Sequence, residues 1–190
     1  MDIVLKNISK YFGEKEVLKN LDLTIEKGKV TGITGESGVG KTSLLKILMG
    51  IDRGFTGEVL GIEDKRISVV FQENRLCENL TVKMNIRIIN EKISDSEMDR
   101  CLNRLGLKEA LNIKVSDLSG GMKRRVAILR ALLNPFDMLI LDEPFKGLDS
   151  KNKRKTVEFL KSKIKGKEVI IVTHDKLDGE LFEDVNWIEL

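Results

Sequence analysis

Residues 29–50 read KVTGITGESGVGKTSLLKILMG, and no other stretch narrows the possible folds of this chain so far. KVTGIT has the β-branched, apolar make-up of a strand. Leu44, Leu45, Leu48 and Met49 then recur at helical spacing until Gly50 stops them. Between the two lies GESGVGKT, a glycine-rich turn from strand to helix. Glycines let a backbone wrap closely around an anion, and the free N–H groups at a helix start favour negative charge. The spacing G-x-x-x-x-G-K-T is that of a phosphate-binding loop, and the flanking strand and helix are the context such a loop requires. Gly35, Glu36, Ser37, Gly38, Val39 and Gly40 are expected to cradle phosphates, with Ser43 beside them in the first helical turn. Lys41 is expected to reach the β- and γ-phosphates, and Thr42 to hold Mg²⁺ through its hydroxyl.

Phosphoryl transfer also needs carboxylates near the metal. FDMLILDEP, residues 136–144, is a continuous apolar run that ends in acid, the pattern of a strand buried on both faces. Open α/β sheets place their ligands at such strand ends. Asp142 suits the metal-holding role, and Glu143 is placed to orient or deprotonate an attacking water. RISVVF (66–71) and EVIIVTHD (168–175) read as further strands, and VNWIEL (185–190) as a last one. SDSE at 94–97 has the capping-box pattern of a helix start within a region of short helices, 81–111. Ser150 is expected to cap a helix running to about residue 163, with Val157, Leu160 and Ile164 inward and its lysines solvated. Alternating strands and helices predict one α/β domain, a P-loop core with a mostly parallel sheet.

Bulk properties exclude several classes. A net charge of +3 over 190 residues argues against a nucleic-acid binder, unless a patch such as Lys123, Arg124 and Arg125 concentrates it. Cys77 and Cys101 have no metal-ligand spacing and read as free thiols in a reducing compartment. MDIVLKNISK lacks the pattern of a secretory signal, and runs such as MLIL and VIIV are too short to span a bilayer.

The order GESGVGKT, Gln72 after SVVF, LSGGM, LILDEP, GLD and a TH pair resembles the ATP-binding-cassette ATPases, over essentially the whole chain. The resemblance implies a core of residues 1–72 and 119–190, with an N-terminal antiparallel β-region, and a helical subdomain at about 73–118. Gln72 matches the glutamine that contacts Mg²⁺ or water and couples the site to a transporter partner. Ser119, Gly120 and Gly121 match the signature that meets the γ-phosphate, and Asp149 matches an aspartate at the dimer seam. His174 matches the histidine that senses the γ-phosphate. An aromatic of the first strands stacks on adenine in this family. Tyr11 and Phe12 both qualify, and position just before the glycine favours Phe12.

A single signature and a single P-loop imply an ATP-dependent dimer, or a paired cassette subunit, in which each chain completes the other's site. Separate transmembrane permease chains would feel its opening and closing, and the chain would sit in the cytoplasm on the inner face of the membrane. Lys123, Arg124 and Arg125 then decorate a helix near that surface. Met122, where many relatives carry glutamine, and DEPF look most like importers of the nitrate/sulfonate/taurine group. The short β-region and the absence of C-terminal helices depart from that group. The alternative is a non-transport member acting in a DNA, translation or cell-division complex.

Overall fold

A computed structural model describes residues 1–174, 182 and 184–190, and the elements below are those of these residues. In chain order they are β1 (Ile3–Phe12), β2 (Lys15–Ile25), β3 (Val30–Thr34), α1 (Lys41–Leu48), β4 (Thr56–Leu60), β5 (Ile67–Val70), α2 (Val82–Arg87), α3 (Asp95–Arg104), α4 (Gly120–Leu133), β6 (Met138–Asp142), α5 (Ser150–Ile164), β7 (Glu168–Val172) and β8 (Val185–Glu189). The last part of the stretch 168–175, the residues after His174, lies outside the described residues. So do Asp178, Glu180 and Glu183, the acidic neighbours of Asp184 that would balance the lysines of α5.

Burial along β6 explains the architecture. Met138, Leu139, Ile140 and Leu141 are all fully buried, because successive side chains enter two different cores. Met138 and Ile140, with Ile170 and Val172 of β7, pack toward α1 and the buried residues of β1 and β2. Leu139 and Leu141, with Val169 and Ile171, pack toward α2–α5. The parallel sheet is therefore the middle layer, in strand order β5-β6-β7-β3-β8. A second, antiparallel sheet of order β2-β1-β4 covers the α1 side, its apolar residues alternating inward as in Leu23 and Ile25.

The strand order fixes where chemistry can gather. β7 lies between β6 and β3, and β5 flanks β6. All run parallel, so the segments leaving β3, β5, β6 and β7 emerge on one edge. α2 and α3 fall between β5 and α4. Thr81 caps α2 by accepting from the Met84 N–H (3.2 Å), and Ser94 caps α3 by accepting from the Glu97 N–H (3.2 Å), as the capping-box pattern predicts. Asp149, not Ser150, caps α5: its carboxylate accepts from the N–H groups of Lys151 (3.0 Å) and Asn152 (2.9 Å). An anion facing the positive helix start outbids a neutral hydroxyl one residue later.

Candidate functional site

The P-loop runs from the end of β3 into α1. Lys41 is buried, and its ammonium donates to the carbonyls of Gly35 and Glu36, both at 2.7 Å. The loop thus closes around the charge that it would present to phosphate. Gly40 has φ +117°, and a Cβ there would lie 2.7 Å from the Val17 carbonyl oxygen and the Leu18 side chain. Only glycine lets β2 approach the loop so closely. A cavity of about 230 Å³ opens above the loop, lined by Ser37, Gly38, Gly40, Lys41, Thr42 and Ser43, with Val17 of β2 at its side. That is below the ~300–1,000 Å³ of pockets that enclose a drug-sized ligand. The cavity has room for the phosphate end of a nucleotide and leaves the base outside.

Its other wall comes from three strand ends. Gln72 follows β5, Asp142 and Glu143 end β6, and His174 follows β7, so groups up to 133 positions from Lys41 converge on one cavity. Glu143 has φ +47°, unusual for a residue with a Cβ. Its N–H donates to the Val172 carbonyl at 2.8 Å. One oxygen of its carboxylate accepts the His174 backbone N–H at 3.1 Å and lies 3.4 Å from His174 Nε2. The His174 ring is more than half exposed, so it can move without unpacking a core. Burial pushes the Asp142 carboxyl above its usual range, and the Arg124 guanidinium partly offsets this. Thr42, Gln72 and Asp142 also border the neighbouring groove. They form a hydroxyl, amide and carboxylate donor set that suits a hard cation completing its shell with phosphate and water.

Several expected residues stand apart. Phe12 and Tyr11, at the β1–β2 hairpin, are each about half exposed, and neither lines the cavity. Lys10 Nζ lies 4.9 Å from the centre of the Phe12 ring, and the Tyr11 hydroxyl donates to Glu16 (2.6 Å). Tyr11 and Phe12 pair in regular register with Glu16 and Lys15 of β2, after a register shift between Lys10 and Tyr11. Ser119, Gly120, Gly121 and Asp149 do not line the cavity of their own chain either. Ser119 caps α4 by accepting from the Met122 N–H (3.3 Å). A Cβ on Gly121 would sit 3.3 Å from the Gly147 carbonyl oxygen, so the signature abuts the GLD segment.

The basic triplet is not surface decoration. Arg124 and Arg125 are buried; of the three, Lys123 alone turns outward, to Glu78 (2.8 Å). Arg125 donates to the carbonyls of Leu105 (2.7 Å) and Gly121 (3.1 Å) and to the Asn152 side chain (3.0 Å). Asn152 in turn donates to Asp149 (2.6 Å), which links the signature helix, the end of α3 and the Asp149 cap. Asn85, fully buried on α2, pairs with both backbone groups of Cys77 (2.8 and 3.0 Å) and so fixes the chain beyond Gln72. Sequence reasoning missed these three residues because their partners are mostly backbone atoms, which leave no trace in residue type.

A family model described as ABC transporter matches residues 18–146. The chain is 36% identical to the lipoprotein-releasing system ATP-binding protein LolD of Porphyromonas gingivalis, over 93% of this chain and 91% of that one. It is 36% identical to the spermidine/putrescine import ATP-binding protein PotA of Thermotoga maritima, over 94% of this chain but 53% of the relative. Among solved structures, the dimer of MJ0796, described as a bacterial ABC transporter cassette, aligns with a TM-score of 0.84 at 33% identity, covering 98% of this chain and 94% of that one. A post-hydrolysis dimer of the same cassette, bound to ADP and Pi, aligns with a TM-score of 0.83 at 32% identity, covering 99% and 96%. With the family model matching well over half of its length, the chain belongs to the ABC transporter family, as an ATPase cassette.

Proposed function

We propose that this cassette hydrolyses ATP at the cavity above Lys41 as one half of a nucleotide-bridged dimer, and that its cycle drives a membrane transporter. The observation that carries this reading is the convergence of Lys41, Thr42, Gln72, Asp142, Glu143 and His174, from four separated segments, on one cavity. Lys41 and the loop N–H groups hold the β- and γ-phosphates. Thr42, Gln72 and Asp142 are the groups that would hold Mg²⁺, which screens the charge of the phosphates when bound. Glu143 accepts a proton from the water whose oxygen attacks the γ-phosphorus. The bond to the β-phosphate breaks, leaving ADP and phosphate, and His174 steadies the γ-phosphate from the β7 side.

Ser119, Gly120 and Gly121 are assigned to the partner's nucleotide, Asp149 to the seam and Phe12 to the adenine. The helical subdomain, about 73–118, leads into the helix that carries the signature. A groove of about 300 Å³ beside Gln72, with Leu45, Met49, Ile51 and Phe71 among its residues, is the proposed docking place of a permease. No helix among the described residues is long and apolar enough to cross a membrane. The membrane-crossing step is assigned to separate permease chains. Import, on the pattern of the nitrate/sulfonate/taurine group, is supported by Met122 and the DEPF spelling; the relatives named above include both a releasing system and an importer.

Glu143→Gln tests the centre of this reading. The variant should bind ATP as the parent does, lose turnover by about 100-fold or more, and run as a dimer in gel filtration with ATP present. A Glu143→Gln chain that stays monomeric in ATP and hydrolyses it at the parent rate would refute the assignment.

A further inference from the structure

Arg124 lies one turn inside α4, 3% exposed, with no carboxylate of the described residues in its hydrogen-bond shell. Its Nε donates to the Pro144 carbonyl at 2.9 Å. One terminal nitrogen donates to the carbonyls of Asp142 (2.7 Å) and Glu143 (2.8 Å). The other reaches the carbonyls of Phe71 (2.5 Å) and Gln72 (3.3 Å), with the Asn74 side chain at 3.5 Å. All five N–H donors of the guanidinium therefore have acceptors, and five of the six acceptors are main-chain oxygens of two segments. Burying a guanidinium costs several kcal/mol unless such bonds offset it, so this arrangement calls for a role beyond filling space.

The two segments gripped are those that carry Gln72 and Glu143. Three consecutive carbonyls, of Asp142, Glu143 and Pro144, turn toward α4, and the left-handed backbone of Glu143 is part of that turn. A planar fork with fixed donor directions holds these carbonyls at set positions relative to those of Phe71 and Gln72. A lysine ammonium, with three donors on one atom, cannot span them. The helix that positions the fork begins at Ser119. We infer that Arg124 is a positioning residue: it fixes the Gln72 and Glu143 backbones relative to each other and ties both to the signature helix. Movement of that helix is thereby felt at the hydrolytic centre, while nucleotide affinity, set by the P-loop, is left alone. This inference rests on the roles proposed for Gln72 and Glu143.

Its test separates chemistry from binding. In Arg124→Lys, kcat should fall about 10-fold, whereas KM and the Kd for MgATP stay within about 2-fold of the parent. Arg124→Gln, which keeps neither charge nor fork, should fall further, so the lysine variant counts as partial rescue. Turnover is expressed per ATP-binding chain, which removes the effect of a partly folded preparation. If Arg124→Lys does not fold, Arg124→Gln, which buries no charge, carries the same measurement. A kcat within about 2-fold of the parent, or a kcat loss matched by an equal loss of affinity, overturns the inference. Glu143→Gln is run alongside. If it is inactive while Arg124→Lys is normal, only the inference falls; if it too turns over normally, the reading of the site falls and takes the inference with it.

Discussion

Lys41 and Arg124 are two buried cations that differ in how much of their position could be read from residue types. The Lys41 ammonium bonds to carbonyls of its own loop, so everything that fixes it lies within eight residues of sequence. Lys41→Ala should remove two charge-assisted contacts to phosphate and the bonds that hold the loop closed. ATP binding should then weaken at least about 100-fold, checked by titration calorimetry, with the far-ultraviolet circular dichroism unchanged. Arg124, by contrast, is fixed by Phe71, Gln72 and residues 142–144, which are distant in sequence and contribute only backbone oxygens. From the sequence, KRR after two glycines reads as a charged face; the acceptors that turn it inward exist only once β5, β6 and α4 have packed. Burial lowers the Arg124 pKa to about 10, still well above neutral, so a charged group is being held there. The same reasoning applies to Glu143, whose type and place at a strand end are legible while its left-handed backbone is not.

Elements were legible where their own periodicity decides them. The apolar run of β6 and the apolar face of α1 both fall where the sequence places them, because burial on two faces or one leaves a direct record in residue spacing. Strand order left no such record, since it is decided by pairings between segments distant in sequence, from Met138 with Glu168 to Val30 with Val169. Junctions between elements are decided by ion pairs as well. Lys10 of β1 is almost fully buried and bonds both Asp52 (2.8 Å) and the Gly54 carbonyl (2.7 Å), which ties the antiparallel sheet to the loop after α1. The Lys10 ammonium and the Gly54 N–H hold the Asp52 carboxyl below its usual range. A depressed carboxyl contributes its stabilisation in full above its unfolded pKa of about 4, and loses it as pH falls toward the folded value. Asp52→Asn should therefore melt a few degrees below the parent at pH 7, and the gap should narrow as pH drops below about 4. Thermal melts followed by circular dichroism between those limits check both the deficit and its sign. A gap that widened in acid would mean that Asp52 is not the partner that Lys10 requires.

At the scale of the whole molecule, the residues proposed for the phosphate site and those proposed for the signature lie in one chain but do not line one cavity. The residues lining the cavity above Lys41 include none of Ser119, Gly120 or Gly121. The Ser119 hydroxyl meanwhile caps its own helix, and Gly121 lies against Gly147. On the reading proposed above a second copy finishes each site, and a two-fold pairing would create two equivalent sites. This leads to a quantitative expectation for mixtures. Lys41→Ala keeps an intact signature but has no working phosphate loop, whereas Ser119→Arg keeps the loop and blocks the signature. Alone, each should be nearly inactive, because every dimer of identical chains has two damaged sites. Mixed in equal amounts and allowed to exchange, half of the dimers would pair unlike chains. Each such dimer would hold one site built from the Ser119→Arg loop and the Lys41→Ala signature, both intact. If a single intact site turns over independently, the mixture should recover about one quarter of parent activity, rising with total protein as dimers form. A chain that completed its own site would give no recovery at any ratio, so steady-state ATPase across a mixing series separates the two geometries.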